Sequence, residues 1–413
     1  MLKYRTRVII CVFLFVLISV NVSYAESSPA LGGDQAVFSS SQETEDITVD
    51  TSGVSGEKWS LPSVSAHSAI LMDAVTGDIL YNRDGYKQRP PASTTKILTA
   101  IVALEMANLD EVSTISEKTD RVGESSIYLN RGNKIKLGEL IEGALVKSGN
   151  DACAAIAEQT AGSIEEFAEL MNEKAISLGA YRSNFVNPHG LPDKSHYSTA
   201  YDLAVIARYA MNNPVFSKIV GQKISTINFE QPQKSEIFKN TNKLLWNYPL
   251  ADGVKTGTTN AAGKCLVASA SKEGRRLICV VLNAPDRFGD AARLMEWGFS
   301  RTAIVSIGKK GDFVGYYPGY GEKIPAVLQR DITLCLEKSK MKDLITEQEY
   351  LGKISLPIKA GEILGNYRVM IGDAMIEKIP LESSGDYNGG PADISGTVKS
   401  IVNRFMDLLD KKG

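Results

Sequence analysis

Pro91-Ala-Ser-Thr-Thr-Lys-Ile-Leu-Thr-Ala100 is the stretch on which the reading of this chain turns. From Lys96 to Met106 the sequence is nearly continuously apolar, which predicts a helix buried on most sides. Arg89-Pro90-Pro91 breaks the chain ahead of it, so the helix starts near Ser93. Ser93 and Lys96 stand three residues apart, and positions i and i+3 share a helix face. A hydroxyl and an amine can therefore meet there. Serine is a weak nucleophile until a base takes its proton, and a lysine held neutral can be that base. Free backbone N–H groups at the helix start also favour negative charge beside Ser93. Taken alone, Ser-x-x-Lys is an ordinary capped and solvated helix start, so the neighbouring sequence has to decide.

Upstream, Ser68-Ala-Ile-Leu-Met72 and Asp78-Ile-Leu-Tyr81 flank a turn with Gly77 at its tip, a β-hairpin. Residues 137–146 have helical spacing, and a second helix begins at Asp151. Ser148-Gly149-Asn150 joins the two, as a loop with an N-cap or as polar side chains held by rigid flanks. Residues 164–178 and 201–211 are further helices, the second capped by Ser198 or Thr199 with Asp202 as its capping acid. His189 and His196 read as structural loop residues. Lys255-Thr256-Gly257-Thr258 ends a strand next to a hairpin formed by residues 263–270 and 276–282. Glycine at 257 lets a backbone approach a ligand closely. Arg287 precedes a helix over residues 290–297.

The composition, 43% hydrophobic and 23% charged over 413 residues, is that of a globular chain with room for about two domains. A net charge of -2 and the lack of a basic stripe with interleaved aromatics give no reason to propose nucleic acid. Lys3, Arg5 and Arg7 precede an apolar run and Ser23-Tyr-Ala25, so residues 1–25 read as a cleaved signal peptide. Residues 26–60 are polar and read as a disordered linker. Cys153, Cys265, Cys279 and Cys335 remain, with no Cys-x-x-Cys pair and three histidines in all, so no metal site is expected.

A first domain is expected over residues 61–304 and a small β-domain over 305–382, with strands at 331–335, 354–358 and 367–371 punctuated by Gly361 and Gly365. Residues 383–413 read as a linker and an amphipathic helix with Val398, Ile401, Val402, Phe405, Leu408 and Leu409 on one face. Such a helix can lie in a membrane interface, pack on the β-domain or self-associate.

Ser93-x-x-Lys96, Ser148-Gly-Asn150 and Lys255-Thr-Gly257 together resemble the motif set of the serine penicillin-recognising enzymes. Their flanks, Lys-Ser-Gly-Asn-Asp-Ala, His-Tyr-Ser-Thr-Ala-Tyr-Asp-Leu-Ala and Gly-Val-Lys-Thr-Gly-Thr-Thr, are similar to the D-alanyl-D-alanine carboxypeptidases, the low-molecular-mass penicillin-binding proteins. The resemblance implies a mixed α/β (α+β) fold. It would comprise a β-lactamase/transpeptidase-like domain with an antiparallel sheet and a helical lobe, a C-terminal all-β domain and a C-terminal amphipathic helix. The implied activity is removal of the terminal D-alanine from peptidoglycan stem pentapeptides through an acyl-enzyme, with inhibition by β-lactams.

Carried onto this sequence, the family pattern makes Ser93 the nucleophile and Lys96 its proton acceptor, with Lys255 supplying positive charge. The N–H groups of Ser93 and Thr258 would form the oxyanion hole. Ser148 would relay a proton to the leaving D-alanine, and Asn150 would hold the substrate amide. Thr256 and Arg287 would bind the terminal carboxylate beside Gly257. No cofactor or metal is called for. The resemblance also implies export and attachment to the outer face of the cytoplasmic membrane through the last helix. Thr258 departs from relatives with histidine there, which implies an altered rate or pH optimum. A DD-endopeptidase would use the same site. A β-lactamase would need a well-placed Glu, which residues 185–200 lack, and an inactive scaffold would not need Ser93, Lys96, Ser148 and Lys255 intact.

Overall fold

Five strands form the central sheet, in the order Ile79–Arg83, Ser68–Asp73, Arg275–Leu282, Gly263–Lys272, Ala251–Thr259, with every neighbouring pair antiparallel. The computed structural model describes residues 61–318 and 323–388, so the signal peptide expected over 1–25, the linker expected over 26–60 and the amphipathic helix expected near the C-terminus lie outside the described residues. Alternate side chains point to opposite faces of a strand, and both faces here are covered. Ile70, Met72, Val267, Ile278 and Val280 join the core under a helical lobe. Leu71, Leu266, Leu277, Cys279 and Val281 pack with Leu294, Met295 and Phe299 of the helix Arg287–Arg301. The expected hairpins are present, with Gly77 at φ 84 in the first turn and Gly274 at φ 79 in the last.

The lobe is built from the helices Lys96–Met106, Leu137–Val146, Asn150–Ala161, Ile164–Ser177 and Ala200–Ala210. The first is buried from Lys96 through Ala103, as its unbroken apolar sequence predicts. A four-stranded sheet of Val112–Thr114, Lys134–Lys136, Ile224–Gln231 and Lys234–Lys239 stands beside the lobe and has no counterpart in the sequence reading. Thr199 Oγ1 caps the helix Ala200–Ala210 through the Asp202 N–H. The Asp202 carboxylate does not close a capping box; it accepts from Arg182 N and Ser183 Oγ instead.

The helix Arg287–Arg301 runs directly into the strand Thr302–Gly308, which pairs with Ile332–Glu337. A second five-stranded antiparallel sheet follows, its core formed by residues such as Ile332, Leu364, Val369, Ile379 and Leu381. Residues 354–358, expected as a strand, make no ladder; only Ile358 bridges to Tyr387. Pro357 lacks the N–H that a ladder needs, and Ile354 and Ile358 are buried as side chains in the core instead. Gly365 lies within the strand Ile363–Ile371, where a Cβ would come 2.4 Å from Glu349 O.

Arg275 ties this β-structure to the central sheet. Its Nε bonds Asp73 Oδ2 at 2.7 Å, its Nη1 Thr302 O at 2.8 Å, and its Nη2 Thr302 Oγ1 at 2.7 Å and Cys335 Sγ at 2.9 Å. The Asp73 side chain is fully buried and that of Arg275 is 12% exposed. Removing one partner of a buried pair strands the other charge, so Arg275→Ala should destabilise the fold by about 3 kcal/mol in urea unfolding.

Candidate active site

Ser93 stands on a single 3₁₀ turn, Ala92–Thr95, and the α-helix proper begins at Lys96 rather than near Ser93. In a 3₁₀ turn residues i and i+3 eclipse, which brings Ser93 and Lys96 closer than an α-helix start would. Thr94 Oγ1 donates to Pro91 O at 2.7 Å and Thr95 Oγ1 to Ala92 O at 2.9 Å. Ala92 sits at φ 51, a left-handed position that costs a non-glycine residue about 1 kcal/mol and that only surrounding structure maintains.

The Lys96 amine is fully buried and has three oxygens around it: Asn150 Oδ1 at 2.7 Å, His189 O at 2.7 Å and Ser93 Oγ at 3.0 Å. Asn150 Nδ2 donates to Gly123 O at 2.9 Å, which fixes the amide with its oxygen towards the amine. Two of the three partners are carbonyl oxygens, which only accept. A neutral amine has two hydrogens and one lone pair. The carbonyls take both hydrogens, and the lone pair is left facing Ser93 Oγ. Burial holds the amine below the ordinary lysine range, against the upward pull of Cys153, Asp151 and Glu124. An amine so disposed can accept the hydroxyl proton.

Ser148 is also left-handed, at φ 72 in the turn between two lobe helices. The turn is tied down by Gly149 N to Gly143 O at 3.1 Å and Asn150 N to Ser125 O at 2.7 Å. The buried Asp151 carboxylate accepts from Ile127 N, Leu129 N and Ser126 Oγ, which pins the loop beside Asn150.

Lys255, Thr256, Gly257 and Thr258 occupy the interior of the edge strand Ala251–Thr259, not its end. A Cβ on Gly257 would lie 3.0 Å from both Pro91 O and Ser93 N, so glycine is what lets this strand lie against the nucleophile turn. Lys255 Nζ reaches Ser148 Oγ at 3.0 Å and Thr256 O at 3.0 Å. Burial, and then the charge of Lys96, hold Lys255 well below the ordinary lysine range. Thr256 Oγ1 contacts Thr241 Oγ1 at 2.7 Å, and Thr241 N donates to Val146 O at 3.2 Å. Arg287 is the first residue of its helix, three residues earlier than the sequence reading began it. Its Nη1 bonds Gly257 O at 2.8 Å, Thr258 Oγ1 at 2.8 Å and Cys265 O at 3.2 Å, while the buried Nε has no partner. Burial lowers its pKa. All nine residues singled out in the sequence thus gather where the sheet edge meets the lobe.

A family model described as "D-alanyl-D-alanine carboxypeptidase" matches residues 55–286, and one described as "Penicillin-binding protein 5, C-terminal domain" matches residues 299–388. The chain belongs to the D-alanyl-D-alanine carboxypeptidase family. D-alanyl-D-alanine carboxypeptidase DacF of Bacillus subtilis (strain 168) is 33% identical over 344 residues, covering 80% of this chain and 88% of that protein. DacD of Escherichia coli (strain K12) is 33% identical over 340 residues, covering 78% and 86%. The solved structure of penicillin binding protein 5 from Haemophilus influenzae superimposes with a TM-score of 0.70 at 28% identity, covering 80% of this chain and 99% of that one.

Three contributors to this carboxypeptidase site escaped the sequence reading. The carbonyls of His189 and Gly123 act through backbone, which no residue type announces. Thr241 meets Thr256 only through the fold. Asp151, by contrast, was legible as an acid in the first turn of a helix.

A lysine whose folded pKa is depressed stays neutral in the fold while the unfolded chain takes up its proton. Its presence therefore lowers stability as pH falls below 10.5, the ordinary lysine value. The difference in urea midpoint between Lys96→Met and the unsubstituted chain should therefore move in favour of the variant from pH 10 down towards neutrality.

Proposed function

We propose that this D-alanyl-D-alanine carboxypeptidase works through an acyl-enzyme on Ser93, with Lys96 as the base. The observation that carries the reading is the Lys96 amine, whose two hydrogens are spent on Asn150 Oδ1 and His189 O with Ser93 Oγ 3.0 Å away. Ser93 Oγ attacks the carbonyl of the penultimate D-alanine while its proton passes to Lys96. The oxyanion is held by the N–H groups of Ser93 and Thr258; Gly257, which lies against the Ser93 turn, admits the strand that carries the second donor. The C–N bond then breaks. The leaving amine takes a proton by way of Ser148, whose hydroxyl is 3.0 Å from Lys255 Nζ. Water attacks the ester, returns the proton to Ser93 and releases the shortened peptide.

Thr256 and Arg287 bind the terminal carboxylate, the guanidinium being held beside the strand by its bonds to Gly257 O and Thr258 Oγ1. Asn150 has a different weight here from the one its family pattern implies: with its oxygen on Lys96 and one hydrogen on Gly123 O, it orients the base first. β-Lactams, which present a strained amide and a carboxylate, acylate the same serine. The basic and then apolar sequence of residues 3–20 supports export, and the helical spacing of the apolar residues between Val398 and Leu409 in the sequence supports peripheral attachment at the outer face of the cytoplasmic membrane. No helix among the described residues is long and apolar enough to cross a membrane.

Incubation with a fluorescent penicillin should leave label on Ser93 by peptide mass spectrometry. Ser93→Ala should abolish the label and lower D-alanine release by about 10⁴-fold or more. Penicillin left intact with no label would sink the reading, and penicillin hydrolysed with no lasting label would assign a β-lactamase. Arg287→Ala should raise KM for a free-acid peptide by about tenfold and leave the C-terminal amide of that peptide unaffected.

A further inference from the structure

His196 is 2% exposed and performs none of the steps above. Its Nδ1 lies 3.1 Å from the Val186 N–H, and a backbone N–H can only donate, so Nδ1 is an acceptor. The proton of the neutral ring is then on Nε2, which faces Thr95 Oγ1 at 2.8 Å. That hydroxyl passes its own hydrogen to Ala92 O at 2.9 Å. One chain of hydrogen bonds therefore runs from the loop at Val186, through the imidazole and Thr95, to the residue before Ser93. Ala92 is the left-handed residue of the nucleophile turn, at φ 51. The same loop presses on it directly: a Cβ on Gly190 would fall 1.9 Å from Ala92 O. Between Val186 and Gly190 lies His189, whose carbonyl takes one of the Lys96 hydrogens. Phe185 packs edge-on against the imidazole at 5.6 Å and fixes its plane.

We propose that His196, as the neutral Nε2–H tautomer, is a positioning residue for acylation: it locks the Ser93 turn to the loop that delivers His189 O. The inference rests on Ser93 and Lys96 acting as proposed above. Protonated at Nδ1, the ring would lose the Val186 bond and face an N–H with an N–H. Burial keeps this from happening until about pH 4, with Asp193 opposing and Lys96 reinforcing the shift. Besides burial, the groups that set the Lys96 charge are Cys153 and Asp151 on one lobe helix and Glu124 on the neighbouring loop, and Lys255 on the edge strand is itself pushed down beside Lys96. His189 and His196 join them on the 186–196 loop. None of these has to move when the lock fails. Water that enters beside a loosened loop relieves the burial of the amine, so the pH at which Lys96 turns neutral rises.

The test is the acylation rate of the full chain with a fluorescent penicillin, measured against concentration and pH. Thr95→Val removes the hydroxyl at nearly constant volume, and His196→Asn keeps the acceptor for Val186 but not the donor to Thr95. Both should lower the maximal acylation rate by about tenfold while the half-saturating concentration changes less than about twofold. Both should also move the rising limb of the pH profile to higher pH. Thr95→Ser and His196→Gln, which keep the hydroxyl or a donor near the Nε2 position, should recover most of the rate. Should His196→Asn fail to fold, Thr95→Val decides alone. A Thr95→Val protein with unchanged thermal midpoint, acylation rate and pH profile overturns the inference while Ser93 labelling stands. An unsubstituted chain with no label on Ser93 removes the reading beneath it, and the inference with it.

Discussion

Lys96 carries its amine to a position with no exposed surface, where an ammonium would lose its hydration at a cost of several kcal/mol. The fold answers with three oxygens from three distant parts of the chain, at Ser93, Asn150 and His189. Each oxygen then needs its own support. Asn150 is oriented by Gly123 O, His189 by the turn that Asn187 Oδ1 closes on Gly190 N, and Ser93 by the hydroxyls of Thr94 and Thr95. The space around the Lys96 amine is therefore filled with polar groups that satisfy one another. Such a network is rigid, because the loss of any member leaves a buried group unpaired.

The local backbone gives way to that network. Ala92 and Ser148 are held at positive φ without being glycine, and each flanks or bears a reactive hydroxyl. Where the backbone approaches most closely, at Gly190 against Ala92 O and at Gly257 against Ser93 N, no side chain is present to resist. At Ala92, next to Ser93, strain and close approach coincide, while the core residues of the sheet and lobe obey ordinary rules of alternation and burial. The second buried amine, Lys255, reaches the site from the sheet rather than the lobe. Its strand is an edge strand, so it has one side free of ladder partners and can line a groove while its other side holds it in register with Gly263–Lys272.

The β-structure that follows the helix Arg287–Arg301 contributes no side chain to this network. It is joined to the central sheet by three bonds of Arg275, to Thr302 O, Thr302 Oγ1 and Cys335 Sγ, and by Cys335 N to Asp78 Oδ2 at 3.0 Å. The helix that starts with Arg287 at the groove thus ends at the strand that starts the second sheet, and a single rigid element links the two.

By itself the sequence determined the family, the first hairpin, the main lobe helices and the hairpin after Lys255, and it pointed to nine candidate residues that the fold brings together, because short motifs fix residue types at the places where chemistry needs them. The buried helix after Ser93, the turn at Ser148 and the hairpin after Lys255 all follow from local pattern. Short strands such as Val112–Thr114 and Lys134–Lys136 did not, since three residues are too few to show a period, and residues 354–358 misled because their apolar side chains serve a core without a ladder. What only the tertiary structure decided is which atoms turn those residues into a site. Backbone carbonyls at Gly123 and His189, the left-handed turns at Ala92 and Ser148, and the tautomer of His196 depend on chain segments roughly a hundred residues apart meeting at hydrogen-bond distance, and no local pattern encodes that meeting.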